Sequence, residues 1–383
     1  MHMLARRASF SSSSSLRLCL RFSTRSGPPL PPPLDPPRRT LQLSPAAGGS
    51  AVPLVYTCER SLGASFVVVA LHGSPGSTYD WRYLSQPLSA ACPQAALLRL
   101  EVPGFGGSAQ ALVASPAGAD VAAAIVGVAL PAAAAAEGVA LRDGGVRPVL
   151  LGHSIGCELA LLSAAQMLRG GAPPAAVVLV NPIGLRPHRA LRPLAAVRLA
   201  ARLLDLPAPL GAAWRAALRS LWIKVFRFPP RVTEADVAWG QRRAAALDFE
   251  GLRAAAAALS AARVPCAVLY STNDHLVEPA VSRELADALA ARVVVDDAAG
   301  HCQRRLTTTR KLGDPLSRRR GPSPRAHSLR SPAAGLNKWG GPQIAETVKE
   351  LLSRAASGDS AAPAKAAWKS EGGKGLLDSK GQR

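Results

Sequence analysis

The chain has 383 residues, which is enough for one large α/β domain or two smaller ones, and its 48% of hydrophobic residues support a real core. Its 46 basic and 25 acidic residues give a formal charge of +21, but the charge lies mostly at the ends: residues 1–39 carry +6 and residues 303–383 carry +11. Residues 40–302 carry only +4, so the sequence predicts no nucleic-acid partner.

The amino-terminal stretch has the composition of an organelle transit peptide. Residues 1–27 contain five arginines, a serine run at 11–15 and no acidic residue, and they lack the continuous apolar core of a secretory signal. A proline-rich stretch at 28–39 is typical of an extended spacer. We therefore predict a transit peptide and spacer over 1–39 and a mitochondrial protein, with a plastid as the alternative location. The other interpretation is a disordered basic tail.

Apolar runs and helix-favouring stretches alternate along the next part of the chain. Strands are predicted at 41–43, 52–56, 66–71, 97–102, 149–151, 176–180, 266–270 and 293–295, and helices at 117–139, 158–168 and 280–290. This alternation predicts an α/β fold with a mainly parallel sheet and helices on both faces. The alanine-rich stretch 121–141 could pass for a membrane span, but Pro131 interrupts it and a buried helix is the better prediction, so no transmembrane segment is expected.

Residues 152–156 read G-H-S-I-G, directly after the apolar run 149–151 and before the helix-favouring stretch 158–166. G-x-S-x-G between a strand and a helix is typical of a nucleophile elbow, a strained tight turn that exposes its serine. The alternative is a serine that only caps the following helix. We predict that Ser154 is a nucleophile.

The partners of such a serine follow in the order Ser, Asp, His that this elbow uses. Asp274 comes just after the strand at 266–270, and His301 comes after the strand at 293–295. Gly300 before the histidine favours a loop at the sheet edge over a core histidine. The rival acids are Glu278, Asp296 and Asp297. Asp274 is preferred because it lies nearest to its strand end.

A glycine-rich turn follows the strand at 66–71. It can present a backbone N–H group, that of Ser74, to a developing oxyanion, and the second N–H would come from Ile155, which follows the nucleophile. His72 and His153 lie inside the two turn motifs and are predicted to be structural.

These segments together resemble the α/β-hydrolase superfamily over about 50–302. The matching segments are H-G-S-P-G-S at 72–77, V-P-G-F-G-G-S at 102–108, G-H-S-I-G at 152–156, the strand-end Asp274 and G-H at 300–301. The stretch N-P-I-G-L-R-P-H at 181–188 is similar to an uncharacterised eukaryotic branch of that superfamily. Some family members keep the acid at position 181, where Asn181 cannot serve.

The resemblance also excludes two branches of the superfamily. Epoxide hydrolases and haloalkane dehalogenases are similar to this chain at 72–76 and 81–82, but their chemistry needs a carboxylate at the position of Ser154. The stretch 184–262 is too long for one crossover, and the resemblance implies a helical cap over the active site. Its alternative is a set of packing helices without substrate contact.

The carboxy-terminal part departs from the family pattern. Residues 304–341 show no apolar periodicity, so 303–342 is predicted to be either a disordered insertion or non-coding sequence carried into the gene product. A helical pattern returns at 343–356, which is predicted to be the last helix of the domain 40–302, and 357–383 is predicted to be a disordered tail.

The residues therefore predict a serine hydrolase that cleaves a carboxylic ester or related acyl bond of a small molecule. The alternatives are an acyltransferase and a catalytically inactive binding protein. The six cysteines show no paired spacing of the zinc or disulfide-framework kind, and neither a metal nor a cofactor is expected. Cys157 and Cys302 lie beside predicted catalytic positions, but small buried cysteines are common in cores.

Overall fold

A computed structural model describes residues 20–21, 36–43, 50–59, 64–108, 110–139, 141, 146–226, 228, 230, 232–296, 301 and 340–357. Most of the predicted transit peptide, of the segment 303–342 and of the tail 357–383 lies outside the described residues, as does Cys302. Two residues of the predicted transit peptide are described, and they form a short strand at one edge of the sheet.

The described strands form one nine-stranded sheet in the order β1-β9-β8-β7-β6-β4-β5-β3-β2. They are β1 (Leu20–Arg21), β2 (Arg39–Leu43), β3 (Val52–Glu59), β4 (Phe66–Leu71), β5 (Ala95–Leu100), β6 (Arg147–His153), β7 (Ala176–Val180), β8 (Cys266–Ser271) and β9 (Arg292–Asp296). Neighbours are parallel from β1 to β5 in this order, and only β3 and β2 are antiparallel at the other edge. The predicted fold class is confirmed.

The helices lie between these strands. They are α1 (Ser85–Ala91), α2 (Gly118–Ala124), α3 (Leu130–Ala136), α4 (Gly156–Arg169), α5 (Leu194–Arg202), α6 (Leu210–Lys224), α7 (Glu234–Ala245), α8 (Phe249–Ala261), α9 (Pro279–Ala288) and α10 (Gly340–Ser357). A π-helical turn, Ile125–Ala129, joins α2 to α3.

Side chains of the central strands alternate between two hydrophobic cores. Val67 and Val69 of β4 belong to the core shared with α2, α4 and α8, whereas Val68 and Ala70 belong to the core shared with α1 and α10. All four are essentially inaccessible to solvent. Burial of one such aliphatic side chain stabilises the fold by about 1.5–3 kcal/mol, so a sheet covered on both faces holds its carboxyl edge rigidly.

The helix α10 completes the second core. Ile344, Val348, Leu351 and Leu352 are buried against the sheet, and α10 packs beside α1. The helical pattern predicted over 343–356 lies within this helix. The chain thus returns to the main body after the segment 303–342.

Two of the differences between predicted and observed boundaries have a clear local cause. The strand predicted at 97–102 is β5, Ala95–Leu100, because Val102 is buried beyond the end of the strand and its N–H donates to His72 Nε2 at 3.0 Å. The helix predicted at 117–139 ends at Ala136, where Gly138 adopts a positive φ of 65°. Such a glycine ends a helix because a side chain would be strained there.

Among the described helices, the continuous stretch Gly118–Ala136 alone has the length and apolar composition of a membrane span. Val121, Ile125, Leu130 and Ala133 of this stretch are buried in the first core, where the helix packs beside α4. This packing agrees with the predicted buried helix.

Helices α5 to α8 occupy the predicted cap segment 184–262, but they divide into two groups. Leu252, Ala256 and Leu259 of α8 belong to the core beneath the sheet face, and α8 packs on α4. By contrast, α5, α6 and α7 pack on one another. The predicted cap boundary is therefore too wide, since α8 is a helix of the main layer.

Helix α7 is fastened to the main body at two places. The indole N–H of Trp239 donates to the carbonyl of Pro103 at 3.1 Å. The guanidinium of Arg243 pairs with the carboxylate of Glu158 in α4, both side chains being 1% exposed, and it also donates to the carbonyl of Pro116. Removal of one partner from such a buried pair leaves an uncompensated charge, so this contact fixes α7 over the site.

Candidate active site

Ser154 lies at the carboxyl end of β6, in the turn between that strand and α4. Its φ is +53°, in the left-handed region that non-glycine residues rarely adopt, and its backbone N–H donates to the carbonyl of Val180 at 3.0 Å. This strained turn is the predicted elbow. The side chain is half-buried, whereas its neighbours His153 and Ile155 are buried.

The two glycines of the elbow permit its tight contacts. A Cβ atom on Gly152 would lie 2.5 Å from the carbonyl oxygen of Gly156, and a Cβ on Gly156 would lie 2.4 Å from the carbonyl oxygen of Leu71. Real Cβ atoms do not approach backbone oxygens so closely. The glycines therefore let α4 begin directly against β4 and β6.

The three predicted side chains meet in one hydrogen-bond array. The hydroxyl of Ser154 lies 3.0 Å from Nε2 of His301, and Nδ1 of His301 lies 2.7 Å from Oδ2 of Asp274. His301 and Asp274 are each 5% exposed. The serine can donate to Nε2 when the imidazole proton resides on Nδ1, and the carboxylate favours that tautomer.

Asp274 is the acid of this array, as predicted over its rivals. Its second oxygen, Oδ1, accepts hydrogen bonds from the N–H groups of Leu276 at 2.8 Å and Val277 at 3.0 Å. The rival Glu278 instead accepts from the N–H of Arg189 at 2.8 Å and pairs with the side chain of Arg192. Asp296 lies at the end of β9, and Asp297 lies outside the described residues.

The surroundings of Asp274 keep it ionised. Burial by itself would raise the pKa of this carboxyl, but the adjacent His301 ring and the N–H groups of Val277 and Leu276 stabilise the carboxylate. The pKa of Asp274 consequently lies below its ordinary value of 3.8. The histidine thus faces a negative charge at neutral pH.

The turn that follows β4 is held by His72. Its Nδ1–H donates to the carbonyl of Gly73 at 2.7 Å and its Nε2 accepts from Val102, so both ring nitrogens are used inside the protein. Burial lowers the pKa of His72 to about 4, and the ring is neutral at physiological pH. This is the structural role predicted for it. Ser74 and Ile155 both line the cavity beside Ser154, where their backbone N–H groups were predicted to act.

Two residues that the sequence did not identify as functional hold the backbone of His301. The side-chain amide of Asn181 donates to the carbonyl of His301 at 2.6 Å, and its oxygen accepts from the N–H of Ser271 at 2.9 Å. Nε2 of His153 also donates to the carbonyl of His301, at 3.1 Å. Burial and then the nearby His301 lower the pKa of His153 to about 3, so its ring is neutral.

Asn181 has no accessible surface and a φ of +45°, a conformation that asparagine tolerates better than most residues. A hint of this role was available, because asparagine directly after an apolar strand is a residue type that adopts left-handed turns. Its partner could not be identified, since His301 is 120 residues further along the chain. We call Asn181 and His153 together the histidine clamp.

Substitution of the clamp should reduce the rate at which Ser154 reacts. Asn181→Asp keeps the side-chain shape but replaces the donor with an oxygen that faces the His301 carbonyl. We expect labelling by a fluorophosphonate to slow by about 100-fold, the order of loss that follows a displacement of about 1 Å at a reacting group. The deficit relative to wild type should shrink as the pH falls, because a protonated carboxyl can again donate.

The measurement is the ratio of variant to wild-type labelling rate at each pH. Asn273→Asp is the matched control, because it adds the same charge in the neighbouring loop, where Asn273 accepts from the hydroxyl of Ser271. A deficit that stays constant with pH, or one shared by the control, would contradict a specific clamp on His301.

A cavity of about 310 Å³ opens beside Ser154. Its walls come largely from the stretch between β7 and α8, and they are mostly apolar. The aromatic and aliphatic wall residues include Ile183, Leu191, Val197, Trp214, Leu218, Leu221, Trp222, Phe226, Phe228 and Leu247. Helices α5, α6 and α7 thus contribute to the walls of the cavity, which is the position that a cap over the site would have.

The cysteine near the elbow has no reactive character. Cys157 is fully buried, its Sγ lies 3.5 Å from the carbonyl of Val180, and burial raises the pKa of its thiol. A buried thiol of this kind behaves as a small apolar side chain. In the part of the chain that the structure describes, no group of three or more histidine, cysteine or acidic residues is placed to hold a metal ion.

Comparison with known proteins agrees with this geometry at the level of the fold. No curated protein matches the chain. Among solved structures, DbjA in a variant called dbja delta is 16% identical, covers 83% of this chain and 99% of its own, and has a TM-score of 0.50. A thermophilic esterase from Thermogutta terrifontis is 18% identical over 69% of this chain and 91% of its own, with a TM-score of 0.47.

A third structure, the enol-lactonase from Burkholderia xenovorans LB400, is 20% identical over 63% of this chain and 87% of its own, with a TM-score of 0.45. At such identities the likeness concerns the fold alone. The sequence itself matches the model of the alpha/beta hydrolase family over residues 68–306, which is more than half of the chain and includes Ser154, Asp274 and His301. The chain belongs to the alpha/beta hydrolase family.

Proposed function

We propose that this chain is a serine hydrolase that cleaves a carboxylic ester, or a related acyl bond, through an acyl-enzyme intermediate. The observation that supports it best is the continuous array from the Ser154 hydroxyl through His301 to the Asp274 carboxylate, which opens onto an apolar cavity. A nucleophile bonded to a base that a third group orients is the arrangement that activates a hydroxyl for acyl transfer.

In the first half of the reaction, Oγ of Ser154 attacks the carbonyl carbon of the substrate while Nε2 of His301 accepts the hydroxyl proton. The carbonyl oxygen becomes an oxyanion, and the C–O bond to the alcohol then breaks as His301 returns the proton to the departing oxygen. Asp274 keeps the imidazole in the required tautomer and stabilises its cation between the two transfers.

In the second half, a water molecule attacks the acyl carbon while His301 accepts its proton, and the bond to Oγ of Ser154 then breaks as His301 returns that proton to the serine oxygen. The backbone N–H groups of Ser74 and Ile155 are the proposed donors to the oxyanion in both halves. Each such donor contributes on the order of 3 kcal/mol to the transition state. The strained turn at Ser154 supports this proposal, because Ile155 directly follows Ser154 in the turn.

The walls of the cavity support an uncharged, apolar acyl chain as the substrate group. Trp214, Trp222 and Leu218 offer no charge, and the one arginine of the walls, Arg192, is paired with Glu278. A carboxylate in this space would lose its hydration without gaining a free cation. An aliphatic chain would instead be stabilised by burial.

Hydrolysis of p-nitrophenyl acetate, propionate, butyrate and hexanoate tests this substrate class. We expect kcat/KM to rise by about four-fold for each methylene group while the chain fits, which corresponds to about 0.8 kcal/mol per buried methylene. The charged p-nitrophenyl hydrogen succinate, similar in size to the longer esters, should be the poorest substrate. A flat series, or a preference for the succinate ester, would contradict an apolar acyl site.

We also propose that residues 1–39 direct the protein to the mitochondrion, with a plastid as the alternative. Support comes from composition alone, since residues 1–27 are rich in arginine and serine and have no acidic residue. A fusion of 1–39 to a fluorescent protein should co-localise with a mitochondrial marker. Co-localisation with a plastid marker would support the alternative, and a diffuse distribution would contradict both.

A further inference from the structure

A second histidine lines the cavity and takes no part in the proposed reaction. His188 precedes the short 3-10 turn Arg189–Leu191, is only 6% exposed, and shares the cavity wall with Ser154 and His301. The other polar rings of that wall belong to His301, Trp214 and Trp222. An ionisable ring in a mostly apolar wall calls for hydrogen-bond partners, because burial of a polar atom without a partner is unfavourable.

The tautomer of His188 follows from its contact with the protein. Nδ1 lies 2.9 Å from the backbone carbonyl oxygen of Leu276. That oxygen can only accept, so Nδ1 carries the proton and donates. Nε2 therefore keeps its lone pair and is an acceptor, provided that the ring is neutral. Burial, followed by the nearby His301, lowers the pKa of His188 to about 4, which keeps the ring neutral at physiological pH.

The ring has a fixed orientation relative to the reacting groups. The N–H of Leu276 donates to Asp274 while the carbonyl of the same residue accepts from His188. Two neighbouring contacts hold the turn to the same loop: the N–H of Ala190 donates to the Leu276 carbonyl at 3.4 Å, and the N–H of Arg189 donates to Glu278 at 2.8 Å. His188 and the acid of the array are thus positioned by one loop.

Nε2 of His188 has no hydrogen-bond partner among the described residues, although only 6% of the residue is exposed. Since Nδ1 is used by Leu276 and the residue lines the cavity, Nε2 is the ring nitrogen that remains to pair with a molecule bound there. A fixed, neutral acceptor beside the nucleophile suits an uncharged donor of a bound molecule, and a hydroxyl group is such a donor.

We propose that Nε2 of His188 accepts a hydrogen bond from a hydroxyl group of the substrate, so that the preferred substrates are hydroxylated carboxylic esters. This inference rests on the proposed serine hydrolase activity. The hydroxyl could belong to the acyl part or to the alcohol part of the ester, and the chemistry of recognition is the same for both. A substrate without the hydroxyl would leave Nε2 unpaired on binding, which lowers its relative kcat/KM.

The test compares matched esters with and without the hydroxyl. The acyl pair is p-nitrophenyl butyrate and p-nitrophenyl 3-hydroxybutyrate, and the alcohol pair is butyl butyrate and 4-hydroxybutyl butyrate. The full chain is expected to favour the hydroxylated member of one pair by about ten-fold in kcat/KM, the order of one hydrogen bond to a buried group. The pair that shows the preference identifies the part of the ester that carries the hydroxyl.

Two variants separate substrate recognition from support of the loop. His188→Phe keeps the ring shape and removes both nitrogens, whereas His188→Asn retains a donor that can reach the Leu276 carbonyl, and its remaining acceptor Oδ1 does not extend to the position of Nε2. In both variants the preference should fall to about one, with rates normalised to the fraction of Ser154 labelled by a fluorophosphonate. If only His188→Phe lost the preference, or if neither did, the ring would be a loop support and the proposal would be wrong.

The same assay distinguishes a failure of the proposed role of His188 from a failure of the proposed serine hydrolase activity. A wild-type chain that hydrolyses both members of each pair with equal kcat/KM refutes the role of His188 and leaves the serine hydrolase intact. A folded wild-type chain that neither turns over any ester nor reacts with the fluorophosphonate refutes the hydrolase, and the hydroxyl preference with it.

Discussion

Ser154→Ala is expected to lower kcat for ester hydrolysis by about 10⁵-fold or more, to the level left by binding and oxyanion contacts alone. The reason is that the Ser154 hydroxyl is the group in contact with Nε2 of His301, at 3.0 Å. The thermal unfolding midpoint should stay close to that of the wild type, because the side chain is half-buried and the backbone hydrogen bond from Ser154 to Val180 does not involve it.

The measurement is turnover of p-nitrophenyl butyrate together with the thermal unfolding midpoint. Ser163→Ala is the matched control, since Ser163 lies in helix α4, which follows Ser154, and is fully buried with a hydroxyl that has no partner in the described structure. It should leave turnover unchanged. Turnover by Ser154→Ala within ten-fold of the wild type, at an unchanged unfolding midpoint, would be incompatible with a nucleophilic role.

The second large effect is expected for Asp274→Asn, which should reduce kcat by about 10³–10⁴-fold. The N–H groups of Leu276 and Val277 both donate to one oxygen of Asp274, so the amide oxygen of the new side chain would take that position. Its NH₂ group would then face Nδ1 of His301. An imidazole that accepts at Nδ1 carries its proton on Nε2 and cannot receive the proton of Ser154.

Glu278→Gln is the control for this substitution. Glu278 lies four residues further along the chain and binds Arg189 and Arg192, not His301, so its amide should retain most of the activity. Steady-state kinetics of both variants at neutral pH decide the point. A larger loss for Glu278→Gln than for Asp274→Asn would mean that the acid of the array has been wrongly assigned.

Local patterns in the sequence were enough to predict the central sheet and to select the three side chains that meet in the hydrogen-bond array. The runs at 66–71 and 176–180 coincide with β4 and β7, because buried parallel strands read as continuous apolar segments. Ser154, Asp274 and His301 could be chosen because each follows such a run, and the carboxyl ends of parallel strands meet at one edge of a sheet.

Local patterns could not predict the long-range contacts around the site. Asn181 was considered only as a missing acid, whereas its side chain bridges the end of β8 and the carbonyl of His301. The boundary between helices α5 to α7 and helix α8 depends on the packing of α8 against α4, which no spacing within 184–262 reveals. Both depend on residues that are distant along the chain and are brought together by the fold.

Covalent modification of Ser154 can be detected directly by mass spectrometry. Wild-type protein is treated with a fluorophosphonate, its intact mass is recorded, and the modified residue is located by peptide mapping. We expect a single adduct on the peptide that contains Ser154, and no adduct on Ser154→Ala. An unmodified folded protein, or an adduct that persists in Ser154→Ala, would contradict the nucleophilic role of Ser154.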